Sequence, residues 1–302
     1  MDESLDLCTM VWMDIPFYKL VLADCDFLLI NALTNDISEH LFDRKSVDLI
    51  CDRRRGVGGD GIILLYPSRE QNVGLHFLSP LSGTQEKKRE DLNASALLCA
   101  SRFAFDFGLF NRDRLVIEGP TKDIEITCID STLFQIELGI PISLSGEEIK
   151  EDDRQEVHLW KPLQDQSIAY TCCSFSEFPA RATAMVPGIP ETERAEAFCR
   201  HVRKQDIGSA VFAVAEQQSL VAYSPFPAQG PGDAVIEAAA ATLLCASGGS
   251  SGREVTARKV NRNQSEELYV TWTGSGSLVV GGVPHYVFTG NYSTEEKDGP
   301  AA

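Results

Sequence analysis

The chain has no run of apolar residues approaching the ~18 that a membrane-spanning helix needs. Its longest candidate, Phe17 to Leu33, is interrupted by Asp24, Asp26 and Asn31, so no membrane association is expected. Basic residues are scarce: 27 Lys and Arg stand against 44 Asp and Glu, a net charge of −17. Such a field repels phosphate backbones and anionic membrane surfaces, which excludes nucleic acid as a partner. No Lys or Arg precedes Lys19, the reverse of the basic opening of a secretory leader, and a cytoplasmic protein is expected. The nine cysteines (8, 25, 51, 99, 128, 172, 173, 199, 245) are odd in number and contain no CxxC pair. Neither a disulfide framework nor a zinc knuckle is indicated, and most read as small buried hydrophobes. The five histidines (40, 76, 158, 201, 285) include no pair at i, i+4 and no HExxH pattern, and no GxSxG elbow occurs. Metal and serine-hydrolase chemistry therefore have no foothold.

What remains is an ordinary globular composition. The 302 residues are 43% hydrophobic and 24% charged, enough for a core in two domains or one large one. FYKLVLADCDFLLIN, 17 to 31, predicts two strands around a turn at Ala23-Asp24, with a helix at 37 to 52. VGLHFLS at 73 to 79 alternates like a half-buried strand, and LNASALLCASRFAFDFG, 92 to 108, predicts a helix stopped by Gly108. Short β segments follow over 114 to 138, and the polar stretch from Pro141 to Gln155 reads as a link. A second series then begins, with a strand at 168 to 175, a helix from Pro190 to Lys204 and a hairpin at 209 to 226. An Ala-rich helix capped by Asp233 comes next, then strands near 253 to 260, 267 to 272, 277 to 281 and 284 to 289. The two halves thus share an order, and LLCAS occurs at 97 to 101 and again at 243 to 247, a weak sign of internal duplication.

GVGGDG, 56 to 61, satisfies GxGxxG, but an apolar strand rather than a helix follows it. A tight turn needing positive φ is expected there, not a dinucleotide site. The surrounding CDRRRGVGGDGIILL, 51 to 65, resembles the CDRxxGxGxDG segment of the diaminopimelate epimerases. FYKLVLADCDFLLIN is similar to that family's N-terminal strand-turn-strand, and FLSPLSG, 77 to 83, stands where its FNxDGS belongs. LNASALLCASRFAFDFG resembles MCGNGxRCxARFAYDxG, AQGPGDAVIEAAAA at 228 to 241 resembles ERGxGETxACGTGA, and VVGGVPHYVFTG resembles the closing GPAxxVFxG. The likeness spans residues 14 to 290.

This resemblance implies an α+β fold of two similar lobes, each a β-rich barrel-like sheet around a central helix. The N-terminal lobe would cover 14–140 with a closing strand at 284–290, the C-terminal lobe 141–283, and 291–302 would be a loose tail. It also implies chemistry without metal or cofactor. Two cysteines at helix starts facing a cleft move the α-proton from opposite sides, and backbone amides at those helix ends receive the α-carboxylate. Carried over residue by residue, the first cysteine position falls on Asn93, its Gly-Asn partners on Ala94 and Ser95, and the second cysteine on Glu237. A shift of register would move that second position to Ala238 or Ala239, and a larger slip would nominate Cys245. The substrate-clamping Glu-Arg pair becomes Ala228-Gln229, and three contacting asparagines become Cys25, Leu78 and Ser209. Asn93 and Glu237 equally suit ordinary roles, as a helix cap and as an acid in a helix's first turns.

Three functions follow. The first is a pseudoenzyme with a binding or regulatory role, whose partner is a small amino-acid-like ligand or a protein. The second is an isomerase using Glu237 as a single base, as carboxylates serve in the related phenazine-biosynthesis branch of the fold. The third is a retained diaminopimelate epimerase in lysine and peptidoglycan-precursor biosynthesis. The family's frequent dimerisation implies a homodimer.

Overall fold

The computed structural model describes residues 12–35, 37, 41–68, 73–80, 92–109, 113–118, 123–143, 158–160, 168–175, 178–186, 191–205, 207, 209–215, 219–223, 233–247, 254–261, 264–273 and 275–295. The chain begins with β1 (Trp12–Leu22) and β2 (Cys25–Asn31), antiparallel about Ala23, which takes φ 54 as expected for the tight turn. Then come α1 (Arg44–Cys51), β3 (Gly61–Tyr66), β4 (Val73–Leu78), α2 (Ala94–Asp106), β5 (Arg114–Glu118), β6 (Ile124–Cys128) and β7 (Phe134–Gly139). The second half holds β8 (Pro141–Ser143), β9 (His158–Trp160), β10 (Ile168–Phe175), β11 (Phe178–Met185), α3 (Thr192–Arg203), β12 (Ser209–Ala215), β13 (Ser219–Tyr223) and α4 (Ala234–Ser247). It closes with β14 (Glu254–Asn261), β15 (Gln264–Trp272), β16 (Leu278–Gly282) and β17 (His285–Glu295).

Strand pairing follows the same pattern in the two halves. In the first half, β2 pairs parallel to β3 across α1, β3 antiparallel to β4, β4 parallel to β5 across α2, and β5, β6 and β7 follow antiparallel. In the second, β11 pairs parallel to β12 across α3, β12 antiparallel to β13, β13 parallel to β14 across α4, and β14, β15 and β16 follow antiparallel. The β7–β16 pairing joins the halves into one sheet. In this repeat α2 corresponds to α4, so their caps Asn93 and Asp233 are equivalent positions. The shared LLCAS does not mark the repeat: it starts at Leu97, four residues after Asn93, but at Leu243, ten residues after Asp233.

The core follows from the same arrangement. α2 is apolar nearly all round and buried from Ala94 to Ala104 apart from Arg102, so it cannot lie on a surface. It packs on β1, β2, β3 and β7, while α4 packs on β10 to β16, and the two helices touch within one large cluster. Smaller clusters hold α1 and α3 against the sheet. α2 ends as its sequence predicts. Gly108 takes φ 71, its N–H donates to the Phe105 carbonyl, and the Leu109 N–H reaches the Ala104 carbonyl at 2.9 Å, a Schellman ending.

Several expectations change. The first helix starts at Arg44 rather than 37, because Asp43 caps it by accepting from the Ser46 N–H. Pro141 to Ser143 is not linker but a strand paired with β10, while 144–155 lies outside the described residues. The closing strand is longer than 284–290: residues 291–295 belong to β17 and pair with β1, and the rest of the expected tail is outside the described residues. The architecture is mixed α+β and mostly sheet.

GVGGDG is a turn. Gly58 takes φ 82, and its carbonyl accepts from the buried Lys19 ammonium at 2.5 Å. Asp60 and Asp26 exchange hydrogen bonds, the Asp26 N–H donating to Asp60 Oδ2 at 2.9 Å and the Asp60 N–H to the Asp26 carbonyl at 2.7 Å. Arg53 bridges both carboxylates. Burial, then the neighbouring Asp26 charge, pushes the Asp60 carboxyl up from 3.8 to about 7. Between those values the folded state holds a proton that the unfolded chain releases. The associated stability is therefore full below 3.8 and is lost as the pH rises to about 7. Relative to Asp60→Asn, the wild type should lose on the order of 2 kcal/mol of unfolding free energy between acidic and neutral pH. Urea titrations of both proteins across that range check it, and parallel profiles would refute the assignment.

Candidate functional site

The N-termini of α2 and α4 meet at the centre of the core. At the first, Asn93 takes an extended conformation and its side chain accepts from the Ala96 N–H at 2.9 Å. This is the capping role, and it leaves the N–H groups of Ala94 and Ser95 pointing out of the helix end. Both donate to the carboxylate of Asp233, Ala94 to Oδ2 at 2.7 Å and Ser95 to Oδ1 at 3.2 Å. The Ser95 hydroxyl donates to the same Oδ1 at 3.0 Å. Asp233 meanwhile caps its own helix by accepting from the Ile236 N–H at 3.3 Å, as the sequence predicts. The Ser95 oxygen returns the exchange by accepting from the Val235 N–H at 3.2 Å.

One carboxylate thus sits at the positive ends of two helices, held by three backbone N–H groups and a hydroxyl. Asp233 is 1% exposed and Ser95 0%. Charge-assisted hydrogen bonds of this kind are strong where water is excluded. Chemically, the arrangement is a carboxylate receptor already filled by a side chain of the same molecule.

The other sequence-predicted positions divide into those near this junction and those away from it. Glu237 is buried in the first turn of α4, and Cys25 opens β2 against the same core. Cys25 feels the charges of Glu237 and Asp233, as well as Asp24 and Asp60. Burial first, and these carboxylates second, push its thiol well above the ordinary range, so it is a neutral thiol and no proton-abstracting base. Ala238 and Ala239 are buried further along α4. Leu78 is not at the junction: it packs with the cluster containing Ile62 and Leu64, while Phe77 faces the side holding α2. The strand's twofold alternation, invisible in an ungapped motif match, makes that difference. Ser209 opens β12 in register with Arg181 of β11. Ala228 and Gln229 lie outside the described residues. Cys245 is near the C-terminal end of α4, about 18 Å along the axis from that helix's cap at 1.5 Å per residue.

Sequence reasoning found Asp233 only as a local cap. Its reach across to Ala94 and Ser95, 139 and 138 residues away, had one available signal: the equivalence of the two central helices. Among the described residues no group of three His, Cys, Asp or Glu is placed to hold a metal ion, and no helix is long and apolar enough to cross a membrane.

No protein-family model matches the chain. Its sequence is similar to the diaminopimelate epimerase of Pelotomaculum thermopropionicum, 22% identical over 285 residues, covering 88% of this chain and 95% of that one. Its fold is similar to that of a PhzF-family phenazine biosynthesis protein from Bacillus anthracis, with TM-score 0.62, 11% identity and coverage of 93% and 99%. A hydroxyproline epimerase from Agrobacterium vitis gives TM-score 0.61 at 10% identity, covering 95% and 93%. The chain is accordingly a sequence relative of the diaminopimelate epimerases, with the fold that they share with PhzF and proline racemase-like proteins.

Proposed function

We propose that this is a catalytically silent relative of the epimerases, a pseudoenzyme in which Asp233 takes the place of a ligand's α-carboxylate. In this reading the repeated halves are two lobes, and the facing helix ends now hold them together instead of gripping substrate. The protein acts in the cytoplasm as a binding or regulatory component. The observation that carries the reading is the Asp233 carboxylate bound by the Ala94 and Ser95 N–H groups at 2.7 and 3.2 Å. An α-amino acid would have to displace a tethered, fully desolvated anion from those donors.

The composition of the junction supports the same reading. Proton transfer at an α-carbon needs a base on each face. The Asn93 amide is neither a base nor an acid of useful strength near neutral pH, and the Cys25 thiol is held neutral by its surroundings. Losing one member of a catalytic unit costs on the order of 10³ or more in rate, and here both thiol positions and the carboxylate cradle are altered together.

Incubation with diaminopimelate and a panel of amino acids in deuterated water tests this. The expected result is no α-deuterium incorporation above the protein-free blank, with a diaminopimelate epimerase run alongside as the positive control. Robust exchange would defeat the reading. If that exchange then disappeared in Glu237→Gln, the single-base isomerase would replace it; if it survived, a retained epimerase would.

A further inference from the structure

The outer face of α1 runs against the charge of the chain. In a protein of net charge −17, residues 44–55 hold five Lys and Arg against two Asp. Val47, Ile50 and Cys51 fix α1 on the sheet, so helical periodicity turns Lys45, Asp48 and Leu49 to solvent. Leu49 is 43% exposed. The backbone then folds back against the end of the helix. Asp52 accepts from the Arg54 and Arg55 N–H groups at 2.8 Å each, and the Val57 and Gly58 N–H groups donate to the Ile50 carbonyl. Gly56 lies so close that a Cβ there would overlap the carbonyl oxygens of Leu49 and Ile50. The arginine turn is thereby held rigidly beside Leu49.

The cations differ in what they already hold. Arg53 turns to Asp26 and Asp60, Arg55 pairs with Asp52 at 2.9 Å, and Arg44 lies 3.9 Å from Asp48. Both aspartates of the segment are thus matched, and among the described residues no carboxylate pairs with Lys45 or Arg54, both exposed. Helix stability does not account for Lys45, since a cation in the first turn opposes the helix dipole. Surplus positive charge therefore stands before and after an exposed leucine.

We infer that this face docks an acidic peptide segment of a partner protein, with an apolar side chain over Leu49 and carboxylates over Lys45 and the Arg54–Arg55 turn. The occupant is argued from charge complementarity and spacing. Lys45 and Leu49 are about 6 Å apart along the helix axis. An extended peptide covers that in about two residues and keeps side chains i and i+2 on one side, so an acid and an apolar residue at that spacing meet both. A nucleic acid fits worse, because its continuous phosphates would pass over Asp48 and Asp52 and offer Leu49 nothing. Screening within about 8 Å at physiological ionic strength lets a short segment respond to these cations rather than to the charge of the whole chain. The face is remote in sequence from the helix junction, and the inference does not depend on the proposed loss of catalysis.

Fluorescence anisotropy on the full chain tests it, with a fluorescein-labelled peptide GSEELDEGS. Binding is expected to be at least about tenfold tighter than to the neutral GSQQLNQGS and about threefold tighter than to the leucine-less GSEEGDEGS, and to weaken with added salt. The double variant Lys45→Glu, Arg54→Glu should lose at least about tenfold for the acidic peptide, with its circular dichroism spectrum and Tm intact. It should instead bind GSKKLKKGS, a reversal that misfolding cannot produce. Equal binding of acidic and neutral peptides would overturn the inference. So would a double variant that binds the acidic peptide as the wild type does or fails to take up the lysine peptide. Tighter binding of labelled oligothymidylate than of the acidic peptide would overturn it in favour of nucleic acid.

Discussion

Replacing Asp233 by alanine should destabilise the protein by about 4 kcal/mol, a large share of the 5–15 kcal/mol that a folded domain has. The side chain accepts from Ala94, Ser95 and Ile236 N–H groups and from the Ser95 hydroxyl. Removing it strands donors at two buried helix ends, where each unsatisfied group costs about 1–3 kcal/mol. Partial relaxation at the α4 end, where the Val235 N–H keeps its bond to Ser95, keeps the total below the simple sum. Asp233→Asn preserves the shape but turns one acceptor into a donor facing other donors, so about half of that loss is expected. Urea unfolding monitored by circular dichroism measures both. A loss under about 1 kcal/mol for the alanine variant would mean that the junction is not holding the helices together.

The same site makes a second readout available. In Asp233→Gly the receptor is emptied while Ala94, Ser95 and the Ser95 hydroxyl remain. Formate or acetate should then raise the Tm of that variant and leave the wild type unmoved, because a ligand stabilises only the state that binds it. Absence of rescue would count against the view of Asp233 as an internal carboxylate ligand.

Asp26→Asn is expected to have the next largest effect, about 3 kcal/mol at neutral pH. Asp26 pairs with Lys19 at 2.8 Å and takes two hydrogen bonds from Arg53. Arg53 is half exposed and can rehydrate, but Lys19 is 8% exposed, and among the described residues it would keep the Gly58 carbonyl and the Phe288 ring, neither of which replaces its counterion. An uncompensated buried ammonium is the costly outcome. Burial opposes ionisation of Asp26, yet hydrogen bonds from Arg53 and Lys19 prevail and hold its carboxyl well below the ordinary 3.8. Its contribution is therefore present above 3.8 and is lost as the pH falls below it. The stability gap between wild type and Asp26→Asn should narrow on acidification, and a gap that is small at neutral pH or independent of pH would contradict the ion-pair account.

Most of the order of elements, the turn at Ala23, the Gly108 stop and the caps Asn93 and Asp233 were legible because each depends on residues within a few positions of one another, whereas β8, β9 and β11, held by pairing with β10 and β12, were not read. Local dihedral preferences and capping geometry act at that range. The motif reading of the site fared less evenly. It brought Asn93, Ser95, Cys25 and Glu237 to one region but put Leu78 there as well, because a motif match does not say on which side of a strand a side chain emerges. It did not pair Asn93 with Asp233, the two residues that cap the corresponding helices α2 and α4.

From its residues alone the chain is rich in acid, with strands and helices in alternation and two small-residue helices that have to be buried because no polar face is left to turn outward. Those are consequences of composition and short-range spacing. The meeting of the helix ends, and the capture of one helix's amides by the other's aspartate, required strands far apart in the sequence to pair first. Hydrogen bonds that span 139 residues leave no trace in local pattern, since nothing near Asp233 in the chain distinguishes a carboxylate that caps one helix from one that caps two.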